Sequence, residues 1–230
     1  MEKIKDFLSK LGLFKLVKYF LKRPYYTYRR IHFHKYSMLI FQEFIKIAEK
    51  TGVLYIPVYG TLLGFVRENN ILNHDLDIDL GLFEVNNEVM NKFEQLILQK
   101  GFIVASQVIV ESTREVIEKS YVKNKIKIDV YMMKKNLETY KRKFWMMPNN
   151  MSLKEYQKKN NGVDIYEQSF KIEDLYEKKI NGVFYIKIPS NSEEILNSMY
   201  GKSWKITDKN WDGNEFYKKL KINEKGRVLI

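Results

Sequence analysis

Residues 74–81 read H-D-L-D-I-D-L-G, three aspartates at alternate positions within an otherwise apolar run. Side chains alternate across a strand, so Asp75, Asp77 and Asp79 point one way in an extended chain and Leu76, Ile78 and Leu80 the other. The apolar set can pack into a core, which leaves the carboxylates on the opposite face, in water or in a cleft. Three acids on one face are costly unless one of them is protonated or a cation sits between them. An all-oxygen set suits a hard divalent cation, and Mg²⁺ typically takes one or two protein carboxylates plus phosphate oxygens. The competing reading is a solvent-facing acidic strand edge that guards against aggregation.

The flanking sequence favours the cation reading. Upstream, Tyr59-Gly60-Thr61 joins the strand-like run V-L-Y-I-P-V-Y (53–59) to a short helical segment at Leu62–Arg67, where backbone N–H groups and a Thr hydroxyl can meet a phosphate. Downstream, K-I-D-V (127–130) sets Asp129 inside a second strand-like run whose neighbours are apolar, and an acid in such a place needs a partner. A glycine turn, an acid pair on one strand and a third acid on another make a constellation for Mg²⁺ (or Mn²⁺) and phosphoryl groups. Zinc is not provided for: His74 stands alone in its stretch and the chain has no cysteine, which also excludes disulfides and thiolate nucleophiles.

Around this centre the periodicity predicts helices at 37–50, closed by Gly52, and at Asn87–Lys100, closed by Gly101. Strands are expected at 76–82, 102–110, 115–123, 126–133 and 183–188, with a turn at Lys123-Asn124. A short helix is expected at Ser192–Met199. The stretch 141–170 has no clean period and reads as loops with a short helix near Leu153–Lys158.

The chain of 230 residues is 45% hydrophobic, enough for one well-filled domain. Its formal charge of +12 is uneven: Met1–Lys35 holds ten Lys or Arg against Glu2 and Asp6, so the body is only mildly basic. We therefore divide it into a basic amphipathic helical arm, 1–36, and a catalytic domain, 37–230. Apolar residues at helical spacing (Ile4, Phe7, Leu8, Leu11, then Leu13, Leu16, Val17, Phe20) alternate with lysines, and Pro24 is expected to end this unit. Two readings of the arm stand level: an interfacial helix on an anionic bilayer, contacting it through residues 1–23, or a helical pair folded onto the domain. No apolar run is long enough to span a bilayer, and no secretory signal is expected. The chain thus reads as cytoplasmic, peripheral to the inner face of the cell membrane on the first reading of the arm. Nucleic acid is a poor partner, because the basic excess lies outside the body and the acidic strand would repel a phosphate backbone.

G-T-L-L-G-F-V-R (60–67) followed by I-L-N-H-D-L-D-I-D-L (71–80) resembles the signature of the LicD and fukutin-related family. The resemblance continues in K-I-D-V-Y (127–131), V-F-Y-I-K-I-P (183–189) and I-L-N-S-M-Y-G-K-S-W (195–204), four blocks in order across about residues 37–210. It implies an α+β fold, a nucleotidyltransferase-like mixed sheet flanked by helices. The implied activity is a phosphotransferase that carries a phospho-substituent, phosphocholine or a polyol phosphate, from a CDP-linked donor to a sugar hydroxyl, releasing CMP. Bacterial members so decorate capsule, lipopolysaccharide or teichoic acid. By the same resemblance Asp77, Asp79 and Asp129 are the metal ligands, and Asp75 a ligand, base or orienter. Gly60, Thr61 and Arg67 match the loop that faces donor phosphate, although Arg67 also suits a structural ion pair. His74 and Leu76 depart from the family, which generally has Trp at the first and often an acid or Tyr at the second. Tyr200 and Trp204 read either as core aromatics or as pocket lining. Two other activities remain open: true nucleotidyl transfer to a small molecule or protein, and a basic nucleic-acid-binding module.

Overall fold

The computed structural model describes residues 14–147, 151–208 and 220–230. It opens with a 38-residue helix, α1 (Phe14–Thr51), that runs through Pro24 and across the boundary expected at 36/37. Proline removes one backbone donor, yet the turns beyond it are held by tertiary contacts. Phe33, Ile40, Phe41, Phe44, Ile45 and Ala48 are all buried, and His32 and His34 hydrogen-bond through Nε2 to the carbonyls of Asn124 and Asn73. This part of the expected arm is therefore folded onto the domain. The helix expected around Ile4–Leu11, and the side chains up to Arg23, lie outside the described residues.

Strand β1 (Tyr55–Pro57) is three residues long, shorter than expected, because Tyr59 turns to φ 49° and starts helix α2 (Tyr59–Arg67). Pro57 sits on an edge strand, where its missing N–H breaks no ladder. β2 (Asp77–Phe83) pairs antiparallel with β1. Helix α3 (Asn87–Gln99) follows, capped by the Asn86 side chain accepting from the Val89 amide. β3 (Ile103–Val110), β4 (Val116–Lys123) and β5 (Ile126–Asn136) form an antiparallel meander, and β5 lies parallel to β2. Asn124 and Lys125, at φ 49° and 63°, make the tight turn between β4 and β5.

The stretch that reads as loops contains two strands, β6 (Thr139–Trp145) and β7 (Val163–Phe170), on either side of helix α4 (Leu153–Asn160). β8 (Leu175–Ile180) and β9 (Phe184–Pro189) form a separate hairpin, α5 (Ser192–Tyr200) follows, and β10 (Leu220–Leu229) returns between β3 and β7. The main sheet runs β1-β2-β5-β4-β3-β10-β7-β6, and a further β5–β6 ladder closes its last six strands into a ring. The fold is thus α+β, a large mixed sheet flanked by helices.

One face of the central strands builds the main core. Ile78, Leu80, Leu82, Ile128 and Val130 are buried with Phe44, Phe93 and Ile97 of the overlying helices. Phe44 meets the rings of Phe93, Phe102 and Tyr121 at 5.5–5.6 Å. Burying the odd-even partners of the acids on this side fixes the register and thereby aims the acids at the other.

Candidate active site

Two of the three opening aspartates lie on β2 and the third does not. β2 begins at Asp77, whereas Asp75 belongs to the turn before it, its amide donating to the Leu72 carbonyl at 3.0 Å. The turn bends the chain out of the extended form that would have aligned all three. The parallel β2–β5 ladder then sets Asp79 opposite Asp129 and Asp77 opposite Lys127. Asp75, Asp79 and Asp129 border one open cleft of about 470 Å³ with Gly60, Lys127 and Tyr131.

The glycines of G-T-L-L-G have separate steric reasons. A Cβ on Gly60 would lie 2.8 Å from the Asp75 carboxylate, and one on Gly64 would lie 2.5 Å from the Asn70 carbonyl oxygen. Gly64 thus lets α2 press against the segment that leads into β2, and Gly60 leaves room for the acid. Thr61 is buried, and its hydroxyl accepts from the Asp79 backbone N–H at 2.9 Å. It ties α2 to the acidic strand rather than standing open in the cleft. The structural pairing foreseen for Arg67 is present: Nη2 is 2.9 Å from Glu68, and Nη1 donates to the Trp204 carbonyl at 3.2 Å. Arg67 lines a second cleft of about 220 Å³ with Leu63, Leu72, His74 and Trp204, and Gly60, Asp75 and Tyr200 border both clefts. Tyr200 and Trp204 are therefore buried aromatics that also line a cavity. His74 flanks the site, its Nε2 3.6 Å from Asp75 Oδ1.

The electrostatics follow from crowding acids at a part-buried spot. Burial, then Asp77, Asp129 and Asp75, hold the Asp79 carboxyl well above the usual carboxylate range, against the opposing pull of Lys127. Burial and Asp77 push Asp75 up to about 7. Asp129 is 5% exposed and accepts from the Ser120 hydroxyl at 2.6 Å. The Tyr131 hydroxyl donates to Asp79 Oδ1 at 3.3 Å, and burial followed by Asp79 raises its own pKa.

Four groups at this site escaped the sequence reading. Lys127 Nζ lies 2.6 Å from Asp129 and 3.3 Å from Asp77, and although burial opposes its charge those two acids raise its pKa. Glu118, opposite Tyr131 on β4, is pushed up to about 7 by burial and Asp129. Ser120 and Tyr131 complete the set. Lys127 and Tyr131 were findable, since period two puts residues 127, 129 and 131 on one face. Glu118 and Ser120 became neighbours only through the β4–β5 register.

The donor set of Asp77, Asp79 and Asp129 is all oxygen and net anionic, which fits a hard divalent cation and not a soft one. Among the described residues no three His, Cys, Asp or Glu side chains are already gathered around a point that could hold an ion. Lys127 stands between two of the three acids.

Residues 52–161 match the family LicD/FKTN/FKRP, nucleotidyltransferase domain. These residues form a LicD/FKTN/FKRP nucleotidyltransferase domain. The match spans α2, the acidic strand and β5, and so contains every candidate residue from Gly60 to Asp129. It identifies a transferase domain of the LicD kind. No curated protein matches the chain.

Proposed function

We propose that this LicD-type protein is a Mg²⁺-dependent phosphotransferase that moves a phospho-substituent, phosphocholine or a polyol phosphate, from a CDP-linked donor to a sugar hydroxyl of a bacterial surface glycan. The observation that carries the proposal is the pairing of Asp79 with Asp129 across the parallel strands β2 and β5, inside the family domain. In this reaction the acceptor oxygen bonds to the distal phosphorus and the bond from that phosphorus to the bridging oxygen breaks. CMP leaves with the electron pair, and the hydroxyl proton passes to a carboxylate of the site.

Asp77, Asp79 and Asp129 would hold the divalent cation, which when bound neutralises charge on the donor phosphates. Thr61 fixes the Asp79 backbone from behind, and Ser120 fixes one oxygen of Asp129. Transfer between two substrates needs two sites that meet, and the two clefts share Asp75, Gly60 and Tyr200. On this reading Asp75, which borders both, would orient an acceptor hydroxyl against the donor.

Titration calorimetry with CDP, CDP-choline, CDP-glycerol and CDP-ribitol, each with Mg²⁺, tests the reading. Tight binding of one CDP-linked compound names the donor, and binding of none overturns the proposal. Product analysis separates it from nucleotidyl transfer, which would release pyrophosphate in place of CMP.

A further inference from the structure

The chain supplies its own cation to the acid pair. Lys127 stands directly opposite Asp77 in the β2–β5 ladder, two residues before Asp129 on the same strand face. Its ammonium is 2.6 Å from Asp129 Oδ2 and 3.3 Å from Asp77 Oδ2. An ammonium has three donors and no acceptor, so it can serve both carboxylates at once. It thereby does for Asp77 and Asp129 what a divalent cation between them would do: it cancels the repulsion of two acids on adjacent strands. One oxygen atom cannot serve a short ammonium contact and a metal bond in the same direction. The contact at Asp129 is with an oxygen of a carboxylate that is almost wholly buried, and its other oxygen is engaged by Ser120.

We propose that Lys127 is an intrinsic counter-ion that holds Asp77 and Asp129 in place in the metal-free protein and is displaced when a divalent cation enters. Metal and lysine then compete for the same carboxylate oxygens. This inference rests on the divalent-cation reading given under Proposed function. Lys127 is a positioning residue here, acting through the two acids.

Mn²⁺ serves as the probe, its binding to the full chain followed by calorimetry and by the paramagnetic resonance signal of the free ion. Lys127→Met removes the competitor, and Mn²⁺ should bind about fivefold tighter, the size expected for loss of a partly exposed ion pair. Lys127→Arg keeps a cation in place and should bind Mn²⁺ no more tightly than the natural protein. Melting supplies a second readout: Mn²⁺ should raise the melting temperature of Lys127→Met more than that of the natural protein, because the metal-free variant starts with unscreened acids. Should Lys127→Met fail to fold without metal, Lys127→Gln, which keeps a donor but no charge, carries the same comparison. Unchanged or weaker Mn²⁺ binding by the folded uncharged variants overturns the counter-ion role alone. Absence of Mn²⁺ binding by the natural protein overturns the divalent-cation reading, and this inference with it.

Discussion

Asp79 is held at both ends: its amide by the Thr61 hydroxyl, its carboxylate by Tyr131. Asp79→Asn and Asp129→Asn should each lower turnover at least about a hundredfold, the scale of losing one preorganised electrostatic group. Neither should unfold the protein. Metal-free Asp79→Asn should resist urea as well as or better than the natural protein, because it removes a charge opposed by Asp77, Asp129 and Asp75. Full turnover in both variants would sink the assignment. Thr61→Val leaves the Asp79 amide without its acceptor and should cost about 1–3 kcal/mol in urea unfolding, most of it restored by Thr61→Ser.

The G-T-L-L-G segment illustrates how an element is placed by what it lacks. Gly64→Ala would drive a methyl into backbone at 2.5 Å, whereas Gly60→Ala meets only a movable carboxylate. Gly64→Ala should therefore destabilise by about 1–3 kcal/mol, as overpacking does. Gly60→Ala should keep its unfolding midpoint within a smaller margin and lose turnover, because Asp75 is displaced. The reverse ranking in denaturant and activity assays would contradict this account of α2. Helix α1 carries a different consequence. Beyond Pro24 it exposes Tyr25, Tyr26, Tyr28 and Ile31 beside Arg29 and Arg30, a mixture suited to an anionic interface. Replacing Arg29 and Arg30 by glutamate should weaken co-sedimentation with anionic liposomes, and undiminished sedimentation would leave this stretch without a membrane role. No helix among the described residues is long and apolar enough to cross a bilayer.

The fold as a whole gathers acids that are far apart in sequence, and this should appear in its pH dependence. Glu118 has its pKa raised from 4.5 to about 7 by burial and by Asp129. Between those values the unfolded chain gives up the proton and the folded one keeps it. Folding then binds the proton, so stability falls as pH rises through this window and levels off above it. The loss attributable to Glu118 is roughly 3 kcal/mol, at about 1.4 kcal/mol for each pH unit between those two values. Asp75, also raised to about 7, adds in the same direction. Urea unfolding of the metal-free protein at about pH 5 and about pH 8 should show the decline, and Glu118→Gln should flatten part of it. Stability that climbs over this interval in the metal-free natural protein would contradict the crowding of these groups.

Alternation was enough to read β2, β5 and the face their acids share, since Ile78, Leu80 and Ile128 mark the buried side whatever else the fold does. The spacing of Gly60, Thr61 and the aspartates was likewise legible, and with it the family resemblance. Tertiary structure alone decided the rest. Asp75 leaves the strand because a turn at 72–75 bends the chain, and Pro24 stays helical because contacts further along α1 hold the helix. β6 and β7 were hidden because their inward positions include Arg142, Asp164 and Gln168, which interrupt the apolar alternation. Arg142 and Gln168 are ladder partners, and the guanidinium hydrogen-bonds Gln168 and lies 3.8 Å from the centre of the Tyr59 ring. Gln168 meets the guanidinium from a different strand, and the rings of Tyr59, Tyr131, Phe144 and Phe170 surround its charge at 3.8–5.5 Å. A local pattern can show which face of a strand is dry; it cannot show which distant residue will make a buried charge acceptable.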